Sequence, residues 1–429
     1  MRIIRDLETA RSMLLQRSSP EWESEAQETV RQIIDDVRAG GDSALFRYSK
    51  TFDSVELSRL EVSRQDIAES RERVDGRLRD ALAFAAERIR SFHLAQKERL
   101  GLEFAEGGLG FIVRPLERVG VYVPGGKATY PSTVLMTAIP ARVAGVDEVI
   151  MTTPPAADGT VPAATLAAAD IAGVDRIFMI GGAQAIAALA YGTESVPKVD
   201  KICGPGNIFV TLAKKQVYGT VAIDGLHGPT ETVVLADGSA DPGHCASDLL
   251  AQAEHDEAAS AILITTSAEL AERVDKEVER QLADLERQDI ARQSLERHGA
   301  IIVVPNIDEA LDLVNLYAPE HVCLAMEDAR AHLGRIRNAG GIFIDAPEAL
   351  GDYTAGPSHV MPTGRTARFS SPLSVLDFLK MSILVDAGPG ALRELGPAAA
   401  TIARAEGFTA HALSVERRLG GPERKERDE

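Results

Sequence analysis

Nine histidines are spread over the 429 residues, and four stand where chemistry could use them: His255, His321, His359 and His411. His255 closes the run Gln252-Ala-Glu-His255. Gln252 and His255 are three apart, so on a helix both side chains leave the same face. Leu249 and Leu250 can pin that helix to a core. Zinc favours His, Cys and carboxylate ligands in a tetrahedral set. One His and one Gln therefore need an acid and another His from elsewhere. Asp352 opens a Gly/Pro/Ser/Thr loop over 351–372 that also holds His359, and His411 follows Glu406-Gly-Phe-Thr-Ala410. Read by type alone, each histidine is more often a hydrogen-bonded residue than a ligand, and glutamine is an unusual choice for zinc.

A second group is Ala318-Pro-Glu-His321. Pro319 fixes the backbone, and a Glu beside a His suits proton transfer: His titrates near neutral pH and Glu can activate water. Types alone leave this evenly balanced against a turn with two surface polar residues. A third group is three glycine turns, Pro124-Gly-Gly126, Gly181-Gly182 and Gly204-Pro-Gly-Asn207. No G-x-G-x-x-G occurs, so the usual dinucleotide fingerprint is absent. Each turn could bring backbone N–H groups to a phosphate or be simple turn chemistry.

The elements that must position these groups alternate. After a short amphipathic opening, Ser19-Pro-Glu21 reads as a helix start. Val30, Ile33, Ile34 and Val37 follow at helical spacing, and Gly40-Gly41 ends the helix. A further helix carries Leu78, Leu82, Ala85, Ile89 and Phe92. From Val119 the rhythm becomes strand, glycine turn, helix, repeated to Tyr218, and it restarts after Thr230-Glu231. The expected fold is α/β: two Rossmann-like parallel-sheet domains with helical N-terminal and C-terminal segments. Ligands are then expected beyond the carboxyl ends of the strands. A long charged helix is expected over 268–287, helices at 374–381 and 393–418, and a disordered tail over 420–429. The rhythm suggests a helical segment at 1–24, one α/β domain from 25–120 plus 231–370, a second inserted at 121–230, and a helical segment at 371–429.

Composition narrows the setting. Hydrophobic residues make up 45% and charged residues 26%, and the net charge is −18. Nothing basic offsets that charge, which argues against nucleic acid and anionic membrane surfaces. No apolar run approaches a bilayer span. Three well-separated cysteines in apolar contexts fit buried thiols in a reduced, cytoplasmic protein.

Nine stretches, taken together, resemble the histidinol dehydrogenase family. They are Arg118-Val-Gly-Val-Tyr-Val-Pro-Gly-Gly126, Gly181-Gly-Ala-Gln-Ala185, Lys201-Ile-Cys-Gly-Pro-Gly-Asn207, Gly228-Pro-Thr-Glu231, Gln252-Ala-Glu-His-Asp256, Ala318-Pro-Glu-His321, Gly351-Asp-Tyr-Thr-Ala-Gly-Pro-Ser-His359, Thr366-Ala-Arg-Phe-Ser-Ser371 and Ala405-Glu-Gly-Phe-Thr-Ala-His411. They cover roughly residues 20–415 in the family's order. The resemblance implies zinc on Gln252, His255, Asp352 and His411, and a catalytic pair in Glu320 and His321. It implies substrate contacts from Thr230, Gln252, His255, His321, Asp352, Glu406 and His411, with His359 a further candidate. Tyr122, Gln184 and Asn207 match its NAD-contacting positions. It also implies an intertwined homodimer in which Glu406 and His411 reach the partner's site. The implied reaction is oxidation of L-histidinol to L-histidine through bound L-histidinal, with two NAD, the last step of histidine biosynthesis. The alternative within the fold is a zinc- and NAD-dependent dehydrogenase of another small polyol or a sulfonated diol. Departures are small: Thr230 stands where many members have Ser, and Glu257 where Pro is common.

Overall fold

Val30, Ile33, Ile34 and Val37, read above as one helical stripe, are all buried on the helix Ser24–Tyr48. Gly41 breaks it with a left-handed backbone, as the glycine pair led one to expect. The computed structural model describes every residue except 18–23, 102, 107, 127 and 421–429. The Ser19-Pro-Glu21 helix start and the tail beyond Gly420 lie outside the described residues. The chain forms two compact units, Met1–Lys97 with Leu116–Phe378, and Glu98–Pro115 with Leu379–Glu429.

The larger unit holds two parallel sheets. The five-stranded one runs in the order Arg176–Met179, Glu148–Thr153, Arg118–Tyr122, Lys201–Cys203, Ala222–Ile223. Numbered along the chain, that is 3-2-1-4-5, and its switch point lies between Arg118–Tyr122 and Lys201–Cys203. The stripe of Ser24–Tyr48 packs with Ile186, Leu189, Val210 and Phe178 in the core on one face.

The six-stranded sheet has the order Ile3–Ile4, Ala300–Val303, Ser260–Thr265, Glu231–Ala236, His321–Ala325, Gly341–Ile344. Without its first strand it repeats 3-2-1-4-5, with the switch point between Glu231–Ala236 and His321–Ala325. The strands alternate between two cores: Val233, Leu235, Ile262, Ile264, Val322 and Leu324 face one, and Val234, Ala236, Leu263 and Cys323 face the other. Burial on both faces is why these strands read as unbroken apolar runs. All three cysteines are buried thiols.

Several expectations need correcting. Ile3–Ile4 is an edge strand paired with Ile301 and Ile302, too short to show a period. The charged helix ends at Leu282 and a second runs Gln288–His298. The expected helix at 374–381 is instead a 3-10 turn, Val375–Phe378, and a strand, Leu379–Val385. That strand pairs antiparallel with Leu109–Pro115, which pairs with Phe104–Glu106. Its β-branched Ile383 and Val385 suit a pleated strand better than a helix. This three-stranded sheet belongs to the smaller unit, as do the helices Pro389–Ala405 and Thr409–Leu419, joined by the Arg404–Glu416 pair at 2.8 Å. No described helix is long and apolar enough to cross a membrane.

Candidate active site

Glu320 and His321 sit where the chain enters the strand His321–Ala325. Ala318 adopts a left-handed backbone (φ 51°) as the cap of the preceding helix, and Pro319 follows. This turn swings the Glu320 side chain to the same side as His321, with Oε2 3.8 Å from Nδ1. Glu320 Oε2 accepts from the Thr230 hydroxyl at 2.5 Å and the Glu231 N–H at 3.1 Å. Glu320 and His321 are both buried.

Gln252 reaches the same place from the last turn of the helix Pro242–Ala253. The helix ends at Ala253, so His255 lies just beyond it, its N–H bonded to the Gln252 carbonyl at 3.3 Å. The Gln252 amide nitrogen donates to Thr230 Oγ1 at 2.7 Å and lies 2.9 Å from His321 Nδ1. Asp352 comes from the short helix Glu348–Tyr353, with Oδ1 3.6 Å from His321 Nε2. That ring nitrogen is buried without a hydrogen-bond partner. Burial opposes a charge on the His321 ring, but Glu320, Asp352 and Glu348 outweigh it and raise its pKa to about 10. Burial likewise works against the Asp352 carboxylate, yet His321, with His359 and His255 beyond, holds it below its usual range.

His359 has both ring nitrogens engaged, Nδ1 with the Asp352 carbonyl at 2.8 Å and Nε2 with Thr133 Oγ1 at 3.2 Å. It therefore orients Asp352 in this conformation. Glu406 caps the helix Pro389–Ala405 and His411 lies in the first turn of Thr409–Leu419; both are exposed and belong to the smaller unit. Among the described residues no three His, Cys, Asp or Glu side chains are gathered as a metal site. Of the four ligand candidates, Gln252 and Asp352 are brought to one ring, and His255 is close enough to act on Asp352 electrostatically.

Sequence reasoning missed Glu348. Fully buried, it accepts from the Thr232 hydroxyl and, at 3.0 Å, from the Cys323 thiol. Thr232 is the register partner of His321, and Cys323 is two residues along the same strand, so all three share one face. Burial raises the Glu348 pKa to about 7. The available signal was its spacing, four residues before Asp352 on one helix.

These candidate residues do not lie at the carboxyl ends of their strands, where ligands were expected. Thr230, Glu320 and His321 stand at the amino ends of the two central strands. At the opposite end Asp237 closes the crevice, its N–H on the Ala325 carbonyl and its carboxylate on Glu327 N–H, each at 3.4 Å. In the five-stranded sheet the candidate residues do stand at the carboxyl edge. At its switch point the Tyr122 hydroxyl accepts the Gly182 N–H at 3.1 Å, and burial pushes that hydroxyl's pKa up to about 12. Gln184 is buried with its side-chain oxygen unpartnered. Asn207 caps the next helix through Phe209 and Val210 N–H, both at 3.1 Å. Gly204 (φ 115°) passes so close to the Tyr122 carbonyl that a Cβ would lie 2.1 Å from it; only glycine fits.

Comparison with known proteins agrees along the whole chain. The family model described as histidinol dehydrogenase matches residues 16–419. A histidinol dehydrogenase of Dehalococcoides mccartyi is 54% identical over 96% of this chain and 94% of its own. One from Bacillus thuringiensis is 51% identical over 96% of each. The crystal structure of histidinol dehydrogenase from Elizabethkingia anophelis superposes with a TM-score of 0.92, at 36% identity over 97% of each chain. The chain belongs to the histidinol dehydrogenase family, oxidoreductases of histidine biosynthesis.

Proposed function

We propose that the chain oxidises L-histidinol to L-histidine in two steps at one site, with NAD as acceptor in each. The observation that carries this is the His321 ring: Nδ1 is fixed against Gln252, while Nε2 is buried with no hydrogen bond, beside Asp352. Acting as a neutral ring, as it would beside a bound cation that offsets Glu320 and Asp352, His321 takes the alcohol proton as the carbon-bound hydrogen leaves as hydride to NAD, giving the aldehyde. Glu320 has Oε2 tied to Thr230 and Glu231. Its Oε1 takes a proton from water, and the hydroxide adds to the aldehyde carbon. His321 returns its first proton to the resulting oxyanion, completing the hydrate. The hydrate then loses a proton to the freed His321 and a second hydride to NAD, and the carboxylic acid ionises to the carboxylate of histidine. Holding the reactive amino-aldehyde in place is the reason for one site.

The donors suit a zinc ion. The Gln252 amide nitrogen is occupied by Thr230 and His321, so its oxygen is the atom left for a cation. Glu320 and Asp352 face one imidazole from two sides, with the Glu348 carboxyl behind them. Gln252, His255 and Asp352 would hold the metal with His411. When bound it anchors the substrate's imidazole and amino nitrogens, which is catalysis by positioning. Thr230 and Glu406 would contact substrate; Tyr122, Gln184 and Asn207 would contact NAD at the carboxyl edge of the five-stranded sheet.

His411 and Glu406 would serve the site of a second copy in a homodimer. Support comes from their exposure and from the apolar strand of their unit, where Met381, Ile383 and Val385 are 63%, 79% and 64% exposed, a surface a partner would cover. Mixing inactive His411→Asn and His321→Asn subunits should regenerate activity by forming hybrid dimers; no recovery would contradict the shared site. For the metal, zinc content and histidinol turnover are measured on one preparation before and after chelation. Turnover should fall with the metal and return with added zinc. Full turnover at negligible metal content would overturn the assignment.

A further inference from the structure

Behind the Gly204 turn lies a buried ion pair that the reaction does not use. Lys214, on the helix Ile208–Val217, and Asp224, just past the strand Ala222–Ile223, each have side chains only 2% exposed. The Lys214 ammonium contacts Asp224 Oδ1 and donates to the Gly204 carbonyl at 2.9 Å. Asp224 Oδ2 accepts the Gly204 N–H at 2.7 Å, and Oδ1 the Gly225 N–H at 2.7 Å. Both polar groups of Gly204 are thus held by the pair. Burial opposes the charge on Asp224, but Lys214 and His227 outweigh it and keep the carboxylate well below its usual range.

The network extends towards the catalytic pair. His227 Nε2 lies 3.3 Å from Asp224 Oδ2, and its Nδ1 2.8 Å from the Met361 carbonyl. Gly228 N–H donates to Thr363 Oγ1 at 2.6 Å, and Gly364 N–H to Glu231 Oε1 at 3.2 Å. Glu231 N–H in turn bonds Glu320.

We infer that Asp224, with Lys214 as its counter-ion, is the positioning residue of the nucleotide turn: it fixes Gly204 against Tyr122 and so sets how well NAD binds. This rests on the reading of 204–207 as a nucleotide-contacting turn. An apolar pair of similar size could fill the same space without the cost of desolvating two ions. It could not hold a buried N–H and C=O that otherwise lack partners.

The test compares steady-state constants of two double variants in the zinc-loaded protein. Lys214→Met with Asp224→Leu removes both ions and leaves no buried charge unpaired. It should raise KM for NAD about ten-fold, the scale of losing hydrogen bonds to charged groups, with KM for histidinol and kcat at saturating NAD within about two-fold. Lys214→Gln with Asp224→Asn keeps an acceptor for Gly204 N–H and a donor for its carbonyl, and should restore KM for NAD close to the parent. Should the apolar pair not fold, Lys214→Met with Asp224→Asn keeps the Gly204 N–H bond, loses the bond to its carbonyl and the Gly225 contact, and should raise KM for NAD about three-fold. A purely structural pair would lower thermal stability and active fraction without this split, and that result overturns the inference. Asn207→Ala separates the two levels. If it leaves KM for NAD unchanged, the turn is not a nucleotide contact. If it raises KM while the Lys214/Asp224 variants do not, the positioning role alone fails.

Discussion

The two parallel sheets share the strand order 3-2-1-4-5 but offer opposite ends to chemistry. The five-stranded sheet holds its candidate residues at the carboxyl edge, where Tyr122 and the Gly204 turn flank the switch point. The six-stranded sheet holds them at its amino edge, where Thr230, Glu320 and His321 enter the two central strands. Strand order alone therefore does not choose the working end; the loops that close one crevice and leave the other do. Asp237 closes the carboxyl crevice of the six-stranded sheet. The two edges also differ in how they treat buried polar atoms. Around Gly204 the charges and backbone groups partner one another, although Gln184 Oε1 and His227 Nε2 nearby are buried without hydrogen bonds. Around His321 the Nε2 atom and the Glu348 Oε2 atom are buried without hydrogen bonds.

Four substitutions would break or sharpen that contrast. The largest effect is expected at the amino edge. His321→Asn should lower kcat by about a thousand-fold, the scale of a lost general base, with KM for NAD nearly unchanged; a loss under ten-fold would return His321 to a structural role. Glu320→Gln should spare alcohol oxidation and slow aldehyde oxidation about a hundred-fold, read by supplying histidinol and histidinal separately. An intact aldehyde step would refute the division of labour. Glu348→Gln tests the buried carboxyl. The folded chain holds its proton up to about pH 7, against an ordinary value of 4.5. The parent therefore loses stability as pH rises from 4.5 to 7, by up to ~3 kcal/mol, and the glutamine variant does not. Its Tm should gain on the parent's across that window and stay level above it; a pH-independent difference would show that burial does not strain Glu348. The smallest effect is at the carboxyl edge. Tyr122→Phe removes only the acceptor of Gly182 N–H and should raise KM for NAD about three-fold, with kcat unchanged.

Much of this was legible in the residues. Val30, Ile33, Ile34 and Val37 announced a helix, unbroken apolar runs announced doubly covered strands, and glycine turns marked the carboxyl edge of the first sheet. The Glu320-His321 pair was readable as a proton-transfer candidate. Its meeting with Gln252 and Asp352 was implied by the family resemblance and not by any local pattern, because those contacts span 69 residues between Gln252 and His321 and depend on a left-handed Ala318 that no local pattern announces. The strand Leu379–Val385 was missed although Leu379-Lys-Met-Ser-Ile383 alternates apolar and polar residues, because the stretch 374–381 was read as a single helix. Lys214 sits beside Lys215 near the end of a helix and reads as a solvated residue. Only the fold shows that it is buried against Asp224, ten residues on.

The most direct measurement is the stoichiometry of the purified, zinc-loaded protein with limiting L-histidinol and excess NAD. NADH is followed by absorbance and the organic product identified by chromatography. Two NADH for each histidinol consumed, with histidine as product and no histidinal released, is the expected result. One NADH per histidinol with free histidinal accumulating, or no NADH at all, would contradict a single site performing both oxidations.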